Sequence, residues 1–285
     1  MASHIAVLSR SGGLSDSVLQ TAYVTLAGGW AAAWGHCDDR VILERTERRL
    51  LAVVADATSP TYGGYFMPLG MDIGLAALQG ELRAHDHVCS MPCLVGALGA
   101  AHRVMCDLER AIEAEREKMT GLEDALLRSA RAGGRAAEPF GFHGDRLVHT
   151  GASVSACLFA GTKMHVAQIG SCRVYRRRGR RGEPLLRDHT LNTQLSAAGQ
   201  EPDPAHQSVV TRILGFPAHV EPEFATFDVE PGDAFFLCSD GVWVGHPALV
   251  ERALAASTPQ GMVGLITAEL KQPLRDDAAV IAVGA

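Results

Sequence analysis

Acidic residues stand at four places where an apolar run begins or ends. Ala52-Val53-Val54-Ala55 leads into Asp56, and Phe235-Phe236-Leu237-Cys238-Ser239 leads into Asp240-Gly241. Asp276 and Asp277 directly precede Ala278-Ala279-Val280-Ile281-Ala282-Val283, and Asp38 and Asp39 follow Gly35-His36-Cys37. A carboxylate at a strand end is aimed by a rigid element and remains reachable from solvent. Several gathered together repel one another unless a cation sits among them. Oxygen-only donors suit magnesium or manganese, whereas zinc prefers nitrogen and sulfur. Two such ions bridged by a carboxylate can activate a water and clamp a phosphoryl group. Taken singly, each aspartate fits a turn or a helix cap, so the chemistry depends on the fold bringing them together. His36, beside the acidic pair, is a possible general acid or an ordinary structural histidine.

The elements that must do this positioning follow from periodicity. Residues 20–34 and 50–55 read as buried strands with a charged stretch, Asp38 to Arg49, between them. The order strand, polar turn, strand predicts antiparallel neighbours. Met67, Met71, Leu75, Leu78 and Leu82 have helical spacing within residues 65–84. A longer helix spans 94–118, with Leu94, Leu98, Val104, Met105, Leu108 and Ile112 on its apolar face. Residues 128–148, rich in Arg, Ala and Gly, read as a loop or insert within a single domain spanning 1–285. Short strands follow at 151–160, 163–169 and 172–177, then a short helix at 190–198 and an apolar segment at 208–214. Two further strands, 223–229 and 234–238, flank the turn Pro231-Gly232-Asp233. Helices at about 246–256 and 259–271 precede a closing strand, 278–283. This order predicts an α+β fold, a four-layer α-β-β-α sandwich of two mainly antiparallel sheets with helices outside.

Composition narrows the function. The chain has 285 residues, 47% hydrophobic and 20% charged, with a net charge of −6. That balance lacks the basic footprint of a nucleic-acid binder. The one basic cluster, Arg176, Arg177, Arg178, Arg180 and Arg181, is either a solvated hairpin turn or a patch that receives acidic or phosphorylated partners. The seven cysteines are odd in number and irregular in spacing, and Cys89 and Cys93 lack a second pair at zinc spacing. A reducing cytoplasm is expected. Residues 1–13 have no leader pattern, and no apolar run reaches the roughly 20 residues that cross a bilayer, so no membrane partner is expected. The Ala- and Arg-rich usage fits a GC-rich bacterial genome.

Seven segments in order resemble the type 2C metal-dependent protein serine/threonine phosphatases, from about residue 23 to 285. Val54-Ala55-Asp56-Ala57 resembles V-A-D-G, and Gly151-Ala152-Ser153 resembles G-T-T. Val166-Ala167-Gln168-Ile169-Gly170-Ser171-Cys172-Arg173 resembles V-A-N-V-G-D-S-R, followed by Asp188-His189-Thr190 for D-H-S/T. Val210-Thr211-Arg212-Ile213-Leu214-Gly215 resembles V-L-T-R-A-L-G. The two most specific are Leu237-Cys238-Ser239-Asp240-Gly241-Val242-Trp243, for L-C-S-D-G-L-W, and Asp276-Asp277-Ala278-Ala279-Val280-Ile281, for D-N-I-T-V-I.

The resemblance implies two Mn2+ or Mg2+ ions, with Asp56 bridging them, the Ala57 carbonyl on the first, and Asp240 and Asp276 completing the second. Asp38 and Asp39 would hold metal-bound waters, and a hydroxide between the ions would attack phosphorus in a phosphoserine or phosphothreonine of a protein partner. Cys37 would not be a nucleophile. Three places depart from the pattern. Trp34 stands where the family has a phosphate-binding arginine, for which Arg40 is a candidate substitute. Ser171 replaces the aspartate of G-D-S-R, which implies a weak or absent third-metal site. Thr58 to Gly64 replaces M-G-G-H-x-x-G. Trp34 and Ser171 keep open an alternative, a catalytically weak or inactive relative that binds a phosphoprotein or regulatory partner. A phosphatase for a small phosphorylated molecule is a third.

Overall fold

A computed structural model of the chain describes residues 4–8, 19–26, 37–57, 67–132, 151–207, 209–216, 221–244, 246–270 and 276–285. Trp34, His36 and the 58–64 segment lie outside the described residues.

Side-chain parity along the strands sets the layers. In β4 (Leu50–Ala57) Leu51, Val53, Ala55 and Ala57 face one way and Leu50, Ala52 and Val54 the other, and both sets are buried. A strand apolar on both faces must lie inside a layered fold. Its odd-numbered face packs on two helices, α1 (Met67–Ala84) and α2 (Met91–Ala132). Met71, Leu75, Leu78 and Leu82 of α1 and Leu94, Leu98, Ala101 and Met105 of α2 supply the apolar stripes. Its even-numbered face looks onto a second sheet.

Strand β4 belongs to a five-stranded sheet ordered β3-β4-β5-β6-β9, where β3 is Asp39–Arg45, β5 Ala152–Ala160, β6 Lys163–Ile169 and β9 Glu223–Asp228. The facing six-stranded sheet runs β1-β2-β11-β10-β7-β8, with β1 His4–Leu8, β2 Gln20–Leu26, β7 Arg173–Arg178, β8 Arg181–Pro184, β10 Ala234–Cys238 and β11 Ala278–Gly284. Every pairing is antiparallel. Phe235, Leu237, Ala279, Ile281 and Val283 meet Leu50, Val54, Phe159 and Val166 between the sheets. On the outer face of the six-stranded sheet lie α5 (Pro247–Ala255) and α6 (Pro259–Glu269). A short α3 (Leu191–Ala197) and a single-turn α4 (Asp240–Trp243) complete the α-helices among the described residues, beside a 3-10 turn at Pro204–His206. The four-layer α-β-β-α sandwich is as expected. No described helix is long and apolar enough to cross a membrane.

Three local expectations are corrected. The charged stretch after Asp38 is itself a strand, β3, paired with β4, while β2 lies in the other sheet. As an edge strand, β3 tolerates Arg40, Glu44 and Arg45, which hid it in the sequence. The turn Pro231-Gly232-Asp233 joins strands of different sheets, with Gly232 at φ 89°. Helix α2 runs to Ala132, into the expected insert, because 113–132 holds neither Pro nor a Gly besides Gly121. The rest of the insert lies outside the described residues.

Candidate metal centre

The same parity aims the acidic residues. Asp56 continues the series Leu50, Ala52, Val54 and so faces the space between the sheets. Asp39 is its direct cross-strand partner and shares that face, as does Ser153 on the other flank of β4. From the opposite sheet, Ser239 extends the series Phe235, Leu237, and Asp277 precedes Ala279, Ile281 in the same phase. Asp240 opens α4, and Asp276 stands exposed at the rim. Asp39, Asp240 and Asp277 are 2%, 6% and 5% exposed.

Buried carboxyls this close resist ionisation. Desolvation, followed chiefly by the charge of Asp240 and then Asp39, holds Asp56 well above the carboxylate range. Asp39 is raised by burial and by Asp277, Asp240 and Asp276, with a hydrogen bond from Ser239 opposing. Asp240 is pushed up to about 6, by burial and then by Asp276. Asp276 is also raised, by desolvation of its carboxyl and then by Asp38. Among the described residues no three of these groups already close around one point in ligating geometry. Their proximity is expressed instead in mutual repulsion, which a divalent cation would relieve. An all-oxygen donor set fits magnesium or manganese.

Hydrogen bonds fix the acidic pair. Ser239 Oγ donates to Asp39 Oδ2 at 2.6 Å and accepts from the Ala279 N–H at 2.9 Å. The Asp38 N–H donates to Asp277 Oδ2. Gly241 is required here, because a Cβ would sit 1.9 Å from the Asp277 carbonyl oxygen. Ser171 is fully buried, with its Oγ 3.1 Å from Ser153 Oγ and its hydroxyl also bonded to Asp240. Gly170, at φ 86°, brings the chain so close that a Cβ would lie 2.3 Å from Ser153 Oγ. Trp243 Nε1 donates to the Ser171 carbonyl at 3.1 Å, and Arg173 stacks on the indole at 3.4 Å while pairing with Asp188.

No family model matches the chain. It is 36% identical over 81 residues to protein phosphatase PhpP of Streptococcus pneumoniae, covering 27% of this chain and 33% of that protein. The chain thus spans about a third of the length of the first curated relatives it matches. It is 28% identical over 151 residues to the probable protein phosphatase 2C 41 of rice, Oryza sativa subsp. japonica, covering 46% and 53%. Among solved structures, the serine/threonine phosphatase PstP/Ppp of Mycobacterium tuberculosis superposes with a TM-score of 0.67 at 21% identity, over 94% of this chain and 99% of that one. Serine/threonine phosphatase Stp1 of Staphylococcus aureus gives 0.66 at 16%, over 98% and 99%. MsPP of Mycobacterium smegmatis, a PPM Ser-Thr phosphatase, gives 0.65 at 19%, over 94% and 99%. The chain has the PPM phosphatase fold.

Within this PPM fold the expected residues divide. Asp39, Asp56, Asp240 and Asp276 act on one another, and Asp38 joins them through Asp277 and Asp276. Ala57 closes β4 opposite Ala152. Arg40 goes elsewhere. It shares parity with Ile42, on the helix side, and its Nε and Nη2 bind Asp72 of α1 at 2.8 and 3.2 Å. Cys37 lies beside the acids, but burial and then Asp277 push its thiol up, which leaves it unreactive. The basic hairpin is largely neutralised, Arg176 by Glu183 and Arg178 by Asp233 and Glu230. Ser239 and Ser153 carry no role in the sequence alone, and Asp277 stands there only beside Asp276 as one of the acids that border apolar runs. Extending the in-out alternation of β10, β5 and β11 one step past the apolar run would have found all three.

Proposed function

We propose that the chain is a metal-dependent protein serine/threonine phosphatase, acting on phosphoserine and phosphothreonine in proteins. The observation that carries this reading is the set of carboxyls gathered from two sheets and raised by burial and then by one another's charge. In this reading Asp56, the Ala57 carbonyl, Asp240 and Asp276 would hold two cations, Mn2+ or Mg2+. Such ions supply a nucleophilic water at neutral pH and charge stabilisation for the phosphoryl group. Asp38 and Asp39 would orient water held by those ions. Arg40 would reach a phosphate only by leaving Asp72. All seven cysteines are free, in keeping with a cytoplasmic phosphoprotein partner. The relatives named above as phosphatases, and a PstP catalytic domain in complex with 2 manganese ions, support the same reading.

A second reading, a weak or inactive relative that binds a phosphoprotein, is favoured by Ser171 and by the commitment of Arg40 to Asp72. Hydrolysis of p-nitrophenyl phosphate with and without manganese separates the two. Turnover that requires the metal supports the phosphatase. Absence of turnover in protein shown to bind manganese supports the second reading. A phosphopeptide panel then distinguishes protein from small-molecule substrates.

A further inference from the structure

The acidic pair Asp38-Asp39 begins an edge strand of one sheet, yet what holds it belongs to the other. Ser239, fully buried, accepts from the Ala279 N–H and donates to Asp39 Oδ2, while its own N–H donates to the Ala279 carbonyl at 3.1 Å. Its hydroxyl proton points to Asp39 Oδ2, while one lone pair of the same oxygen accepts the amide. Asp277, one residue from the proposed ligand Asp276, accepts the Asp38 N–H. Both partners sit at the phase of β10 and β11 that looks into the sandwich. Gly241 lets the turn after Ser239 press onto the Asp277 backbone, so the two supports form one block.

We propose that Ser239 and Asp277 are positioning residues forming an inter-sheet strap, which sets Asp39 and Asp38 at the cation site of the function proposed above. Ser239 acts through its hydroxyl on the Asp39 carboxylate. Asp277 acts as a hydrogen-bond acceptor on the backbone and need not be charged. This separates the neighbouring aspartates: Asp276 works by charge, Asp277 by shape and acceptance.

Manganese affinity by calorimetry, in proteins shown to be folded by circular dichroism, tests the strap without relying on turnover. Outer-sphere partners of this kind typically contribute about 10–100-fold in metal affinity. Ser239→Ala and Asp277→Ala are expected to weaken binding by about that factor. Ser239→Thr, which keeps the hydroxyl, and Asp277→Asn, which keeps the acceptor oxygen, are expected to restore most of it, whereas Asp276→Asn is not. If Asp277→Asn loses as much as Asp277→Ala, Asp277 acts by charge and the assignment is overturned. Equal loss in Ser239→Thr and Ser239→Ala overturns the role of Ser239. Amide exchange at Asp38 gives a second readout in metal-free protein. Exchange should be slow in the unmodified chain and at least about tenfold faster in Asp277→Ala. A fast Asp38 amide in the unmodified chain refutes the strap. If the unmodified protein binds no manganese while Asp38 is protected by Asp277, the phosphatase reading fails and the strap stands.

Discussion

At the scale of single residues, the site is a set of acids held in a disfavoured state. Burial, and then the charge of Asp276, pushes Asp240 up to about 6 in the folded chain against 3.8 for a free aspartate, so the folded form binds more protons between those values. Stability from this group is therefore present below the lower value and is lost as pH rises through the upper one. Metal-free protein should melt at a lower temperature at about pH 7 than at about pH 4.5, and saturating manganese should remove or reverse the trend. Asp56→Asn and Asp240→Asn should each raise the melting temperature of metal-free protein by removing a repelled charge, while abolishing manganese-dependent hydrolysis. A variant with near-normal turnover would place the chemistry elsewhere. Ser171→Asp tests the missing carboxylate from the other direction. It puts a further charge in a fully buried place beside Asp240, so it should destabilise the metal-free form and tighten cation binding. The aspartates themselves were legible in the sequence, since each borders an apolar run. Arg40 was misleading because linear proximity to Asp39 conceals opposite parity, and Ser239 was overlooked because serine in an apolar strand reads as filler.

At the scale of elements, the site depends on the close approach of Gly241 to the Asp277 backbone. Gly241→Ala would drive a methyl into the Asp277 carbonyl. A loss above about 2 kcal/mol in a denaturant titration is expected, in the range of backbone strain and overpacking. Helix α2 has 42 residues and is about 63 Å long. Among its described side chains none beyond Cys106 is buried. Leu98→Ala should therefore cost about 2–5 kcal/mol. Gly121→Ala, exposed and with open space around the new methyl, should stabilise the chain by up to about 1 kcal/mol. Equal effects of the two changes would contradict this division of the helix. The core half of α2 was readable from its apolar stripe. The stretch after Ile112 was not, because Glu113, Glu115, Arg116, Glu117 and Lys118 have helical propensity without an apolar stripe to mark it. Strand β3 was missed for the related reason that an edge strand exposes charged residues.

At the scale of the whole molecule, the acids are divided between layers: Asp39 and Asp56 come from one sheet, Asp240, Asp276 and Asp277 from the other side of the sandwich. A cation bound between them links the two halves of the fold. At a concentration one hundred times its dissociation constant, such a ligand adds about 2.7 kcal/mol to stability. Chelation should therefore lower the melting temperature, manganese should restore it, and an unchanged transition at saturating manganese would count against the site. The layered architecture was legible because the buried strands are mainly apolar on the faces they must cover. The division of the acids between layers was not, since which strand joins which sheet is decided by pairings far apart in the chain. That division makes the site a calliper set across the gap between the sheets. The packing inside, where Phe159 and Phe235 meet edge to face at 5.2 Å, sets the spacing of its two sides. Phe235→Leu touches none of the acids, yet it should change manganese affinity, because it alters the gap that the jaws span.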